Sequence, residues 1–127
     1  MSEASTINTI RNISESRDRA LDALWASATA VRDEIAQTTK TGPYLDQLTK
    51  RYRDLMNERA AIRETATDLI LAQPGIIDAV NKLNGLSTDM TASAQSLRNA
   101  TDVLAKTVEV LSLGQRFSDL IANAHKG

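Results

Sequence analysis

Residues 76–111 read IIDAVNKLNGLSTDMTASAQSLRNATDVLAKTVEVL, and one stripe of positions recurs at alternating steps of three and four: Ile76, Val80, Leu83, Ser87, Met90, Ala94, Leu97, Thr101, Leu104, Val108 and Leu111. That spacing puts one side chain per turn on a single face of an α-helix. The same repeat runs upstream through Ile7, Ile10, Ser14, Arg17, Leu21, Leu24, Ala28, Val31 and Ile35, and again through Leu45, Leu48, Tyr52, Leu55, Arg59, Ile62, Ala66 and Leu69. A repeat averaging about 3.5 residues favours left-handed supercoiling of long helices.

Punctuation falls where the repeat is interrupted. Thr41-Gly42-Pro43 offers a left-handed stop followed by a proline suited to the first helical position, and Gln73-Pro74-Gly75 offers a second break. The pattern therefore predicts helices over 7–39, 43–72 and 76–113, joined by short turns. The fold class expected is all-α: an antiparallel up-down-up bundle of three long coiled-coil-like helices with a short C-terminal amphipathic helix. In domain terms this gives a disordered N-terminus over 1–6, a three-helix bundle over 7–113, and a short helix and tail over 114–127. Asn84-Gly85 followed by Ser87-Thr88-Asp89 resembles a helix stop and a fresh N-cap, so a break near Gly85 is the competing expectation.

The two turns fix which positions share a level. Layers such as Val31/Tyr52/Leu97, Ala28/Leu55/Ala94, Leu24/Arg59/Met90, Leu21/Ile62/Ser87, Arg17/Ala66/Leu83 and Ser14/Leu69/Val80 set small residues against larger ones, as interdigitated packing requires. The polar seam residues Arg17, Arg59, Ser14, Ser87 and Thr101 either lay their stems along a thin core or fix register. Asp46 with Lys50, Asp78 with Lys82, Asp102 with Lys106 and Glu15 with Arg19 are acid-before-base pairs four apart, typical of solvated helix faces.

Composition agrees with thin helical packing. Trp25, Phe117, Tyr44 and Tyr52 are the only aromatics against 18 Ala, 13 Thr and 10 Ser, and a core closed between two sheets ordinarily needs more aromatic and β-branched bulk. Fifteen Lys and Arg against sixteen Asp and Glu leave a net charge of −1, too little to concentrate nucleic acid or an anionic membrane. The basic run Lys50-Arg51-Tyr52-Arg53, with Arg59 and Arg63 beyond, is diluted by Asp46, Asp54, Glu58 and Glu64 and reads as a solvated face. Without cysteine, disulfides, thiolate metal sites and cysteine catalysis are excluded. No signal peptide pattern opens the chain, and the expected location is the cytoplasm, or export without a cleavable signal.

Catalytic chemistry finds no foothold. His125 is the only histidine and has no ligand-spaced partner, so no metal site is expected. The acidic residues lie off the seam, and no phosphate-binding or nucleophile-elbow pattern occurs. The expectation is a protein that is not an enzyme and has no catalytic residues, cofactor or small-molecule substrate.

One segment lacks a partner in this three-helix scheme. Val108 and Leu111 would project past the first turn, followed by Leu113, Phe117, Leu120, Ile121 and Ala124, with Gly114 as a candidate hinge. So large an apolar patch has to be covered. It can fold back over the turn, pair with a second copy, or dock into another protein, with membrane insertion the disfavoured outcome. The candidate partner or self-association surface is thus Val108, Leu111, Leu113, Phe117, Leu120 and Ile121. Trp25, beside Leu24 at the seam's edge, joins it either as edge packing or as an exposed anchor. The function expected is a helical protein-interaction or assembly protein (an adaptor, structural subunit or inhibitor) with a protein partner or a homo-oligomer. An exported helical component of a secretion or toxin system is the alternative.

Overall fold

The computed structural model describes residues 3–64 and 76–125, and within these it is a bundle of four helices: α1 (Glu3–Gln37), α2 (Pro43–Arg63), α3 (Ile76–Arg98) and α4 (Val103–His125). The all-helical class is as the repeat predicts. The expected turn at Gln73-Pro74-Gly75 and the seam residues Ala66 and Leu69 lie outside the described residues.

The first turn follows the sequence closely. Gly42 takes φ 74°, a left-handed value that side chains strain to adopt, and Pro43 opens α2. Across this turn the Tyr44 hydroxyl donates to Glu34 Oε1 at 3.0 Å, and the Lys40 ammonium lies 4.9 Å from the Tyr44 ring centre. Partial burial and that carboxylate partner both push the Tyr44 phenol above its ordinary value, because each disfavours the phenolate.

The third segment departs from expectation. No break occurs at Gly85, which sits inside α3, and no continuous helix runs to residue 113. The chain instead turns at residues 99–102. Asn99 N–H and Ala100 N–H donate to the carbonyls of Ser96 and Leu97 at 3.2 Å, tightening the end of α3. Asp102 then caps α4, its Oδ1 accepting from Ala105 N–H at 3.1 Å and its carbonyl from Lys106 N–H at 3.3 Å. Thr101, expected in the core, is an exposed turn residue. Gly114, expected as a hinge, is a buried residue within α4.

This turn sends α4 back along the bundle instead of beyond it. Residues 82, 85, 86 and 89 of α3 lie against 116, 119 and 120 of α4, while 89, 92 and 93 lie against 109, 112, 113 and 116, so the two helices run antiparallel. By contrast, α1 and α3 run side by side in the same direction: Ser16 Oγ donates to Asn84 Oδ1, and Arg19 donates to Ser87 Oγ at 2.9 Å. The predicted layers set Leu21 beside Ser87, so the observed register differs from them by two residues. Around the bundle the neighbours are α1–α2, α2–α4, α4–α3 and α3–α1, and α1 also touches α4 across the centre.

The core follows from that arrangement. On α4 the buried stripe is Val103, Thr107, Val110, Gly114, Phe117 and Ile121, with Phe117 fully buried and Ile121 1% exposed. It meets Leu24, Val31, Leu48, Leu55, Ile62, Leu83, Met90 and Leu97 from the other helices in one cluster. On α1 the deepest positions are Ile13, Ser16, Ala20, Ala23, Leu24, Ser27, Ala28 and Val31, whereas the predicted Ser14, Arg17 and Leu21 are half-buried and Ile10 is exposed. A helix with neighbours on two sides and a third across the centre buries a wider arc than a two-residue seam. Small side chains on that arc let α1 and α3 approach closely.

The buried hydroxyls are used in holding helices. Ser27 Oγ donates to the Ala23 carbonyl at 2.8 Å and Thr107 Oγ1 to the Leu104 carbonyl at 2.7 Å. Of the four predicted ion pairs, Asp78 with Lys82 forms at 3.1 Å. Lys50 turns to Asp54 at 2.9 Å, Lys106 to Glu109 at 3.2 Å, and Arg19 to Ser87.

Because Phe117 is fully enclosed, Phe117→Ala is expected to cost about 3–5 kcal/mol in urea unfolding, while Val108→Ala, at a position 51% exposed, shifts stability by less than about 0.5 kcal/mol. Equal, small effects of the two changes would contradict a closed four-helix core.

Candidate functional site

Among the places on the described surface that bring chemistry-bearing side chains together, three involve residues of the predicted seams and C-terminal segment. Along α1, Trp25 is 45% exposed, and the Arg59 guanidinium of α2 stands over its ring at 5.5 Å. A cation over an indole face contributes about 0.5–1 kcal/mol at an exposed site, and here it fixes both side chains at the edge of the α1/α2 contact. Trp25 thus has edge packing and exposure at once. Elsewhere on α2, Lys50 and Arg51 both reach Asp54, at 2.9 and 3.6 Å.

Between α1 and α3 lies a groove of about 300 Å³ floored by Ala23, Ala26 and Ala94 and edged by Arg19, Asp22, Gln95 and Arg98. Its floor is the small-residue contact that lets these helices approach, and Arg19 is already held by Ser87.

The third place is the outer side of the α3/α4 hairpin, where two adjoining depressions of about 430 and 480 Å³ form one groove. Leu86, Leu113 and Leu120 line it half-buried, each resting on the core below and presenting its remaining surface outward. Gly85 forms part of the floor, and a side chain built there would meet nothing within 4 Å. Charges stand on both walls: Lys82 and Asp89 on α3, Arg116 and Asp119 on α4. Asp89 and Arg116 border both depressions, and neither side chain makes a hydrogen bond or ion pair to a described residue.

The residues singled out from sequence are therefore divided. Phe117 and Ile121 lie in the core and are covered within the chain. Leu113 and Leu120 line the outer groove. Leu111 is half-buried against the core, and Val108 is exposed on α4. The side chain of Ala124 lies outside the described residues. Leu86, Asp89 and Arg116 carry no signal in a single helix repeat, because they become neighbours only after α4 reverses direction.

Among the described residues, no group of three or more His, Asp or Glu is placed to hold a metal ion, and no helix is long and apolar enough to cross a membrane. Comparison of the chain with protein-family models, curated proteins and solved structures gave no match.

Gly85 offers a direct test of the groove's openness. With free space above a mid-helix glycine, Gly85→Ala is expected to raise unfolding stability by roughly 0.5–1 kcal/mol through helix propensity. A loss of stability in urea unfolding would show that the floor is closed.

Proposed function

We propose that this chain is a non-enzymatic helical interaction protein that uses the outer α3/α4 groove to seat another amphipathic helix. The observation that carries this reading is the row Leu86, Leu113 and Leu120, half-covered by its own bundle and edged by charges of both signs. Helix-in-groove recognition needs this combination: apolar anchors spaced by turns of a helix, and a polar rim that selects register. Several of the described hydroxyls and arginines are engaged in helix contacts, as Ser16, Ser27, Thr107, Arg19 and Arg59 illustrate. Those groups serve packing, which favours a binding role over catalysis. Trp25, on α1, and Val108, on α4, do not line the groove.

The test places a photo-crosslinking residue at position 92, exposed in the groove, or at position 49, exposed on α2, in the full chain inside its native cells. A protein adduct of discrete mass is expected from position 92 and not from position 49. It should vanish when Leu86→Glu and Leu120→Glu are combined, with helix content by circular dichroism retained. No adduct from position 92, or one indifferent to the leucine changes, would overturn the proposal.

A further inference from the structure

The bundle is built of two hairpins, and each has its own turn to set how its helices align. Gly42 and Pro43 place α1 against α2, and the turn capped by Asp102 places α3 against α4. Between the hairpins stand residues 64–75, a length of chain that can reach about 40 Å and so does not by itself dictate which levels meet. Apolar burial has no direction, and the floor of the α1/α3 groove, Ala23, Ala26 and Ala94, offers little to hold one level against another. The apolar repeat taken alone sets Leu21 beside Ser87, whereas the structure sets Arg19 there. Among the described residues, three side-chain hydrogen bonds cross from one hairpin to the other. Ser16 Oγ donates to Asn84 Oδ1, Arg19 to Ser87 Oγ at 2.9 Å, and Ser118 Oγ to Glu58 Oε1 at 2.7 Å. The first two share one offset, 68 residues between donor and acceptor. Gly85 and Leu86, between Asn84 and Ser87, lie against Arg116 and Asp119, which stand on either side of Ser118, so all three bonds fall in one part of the bundle.

We infer that these three bonds are a clasp that selects one alignment of the two hairpins, a conformational device independent of what the α3/α4 groove binds. Ser27 and Thr107 bond within their own helices, so a slide of one hairpin along the other leaves those bonds intact. The crossing bonds behave differently. A slip of two residues moves a helix by about 3 Å and a slip of one turn by about 5 Å, either of which takes a donor out of hydrogen-bonding range. Slipped by two residues toward the apolar alignment, Ser16 stands level with Lys82, and Arg19 stands level with Gly85, which has no side chain to accept. Ser16 and Ser87 are fully buried, so water cannot replace a partner lost there. The Ser87 hydroxyl is used twice, donating to the Asn84 carbonyl at 3.0 Å and accepting from Arg19, which aims its lone pair at α1. Because all three bonds join the same two hairpins, one slide breaks them together. Polar groups at a helical seam fix register in this way, where apolar neighbours tolerate several.

The chain has no cysteine, so pairs of cysteines can be introduced to carry spin labels in the full chain. Labels at positions 22 and 95, exposed on α1 and α3, report between the hairpins; labels at 92 and 109, exposed on α3 and α4, report within one. Pulsed electron resonance is expected to give a single distance from each pair. Ser16→Ala, Arg19→Met and Ser118→Ala together remove the crossing donors and keep the Arg19 stem. With these changes the 22/95 pair should show a second distance, from a slide of about 3–5 Å, while the 92/109 pair keeps one. Two distances from 22/95 in the unaltered chain, or one unchanged distance in a variant of full helix content, would overturn the inference. Should the triple variant lose helix content, Ser16→Ala with Ser118→Ala, which removes only the two hydroxyls, carries the same expectation and the same contrary result.

Discussion

Asp102 and the four-residue turn it closes decide what every other part of the bundle can be. By capping α4, Asp102 returns the chain along the bundle and presents Val110, Phe117 and Ile121 to Leu24, Leu55 and Leu83. Without that reversal, three helices would be left with an incomplete core and a long apolar tail. With it, Gly114 comes to rest against Leu24 of α1 and against the stem of Glu58 of α2, 3.0 Å from the nearest Glu58 carbon in terms of a built side chain. Glu58 in turn accepts a hydrogen bond from Ser118 at 2.7 Å. A bare backbone at residue 114 thus leaves room for the Glu58 stem where α4 meets α2, with Leu24 of α1 in ordinary contact beside it.

The same reversal creates the surface on which function is proposed. Leu86 belongs to α3, and Leu113 and Leu120 to α4; they share a groove only because the helices run antiparallel. The core and the candidate site are therefore two sides of one hairpin. Burial of Phe117 on the inner side holds in place the half-exposed leucines on the outer side.

The helical class, the first turn at Gly42-Pro43 and the pairing of α1 with α2 were legible in the sequence, because each rests on local chemistry: a heptad-like stripe, a glycine with positive φ, a proline at the first helical position. The second hairpin was not. Leu97, Thr101 and Leu104 keep the three-four rhythm straight through the turn, since a helix stripe has the same spacing read in either direction. Asp102 was read as half of a pair with Lys106, whereas it is a cap and Lys106 bonds Glu109. The excess length of the third segment was the one symptom of a hidden reversal. It was visible in the count of unmatched apolar residues, from Val108 to Ile121, and not in any single residue. The groove charges were invisible for a different reason: Asp89 and Arg116 are ordinary solvated positions on separate helices until tertiary structure sets them on one rim.

Site-resolved amide hydrogen exchange measures most directly whether α4 belongs to the core. If the reversal closes the bundle, the amides of Val110, Phe117 and Ile121 exchange only through the same cooperative opening that exposes Leu24 and Leu83, with matching protection. Exchange of the α4 amides orders of magnitude faster than those of α1 and α3 would contradict it, showing a C-terminal helix detached from a three-helix remainder.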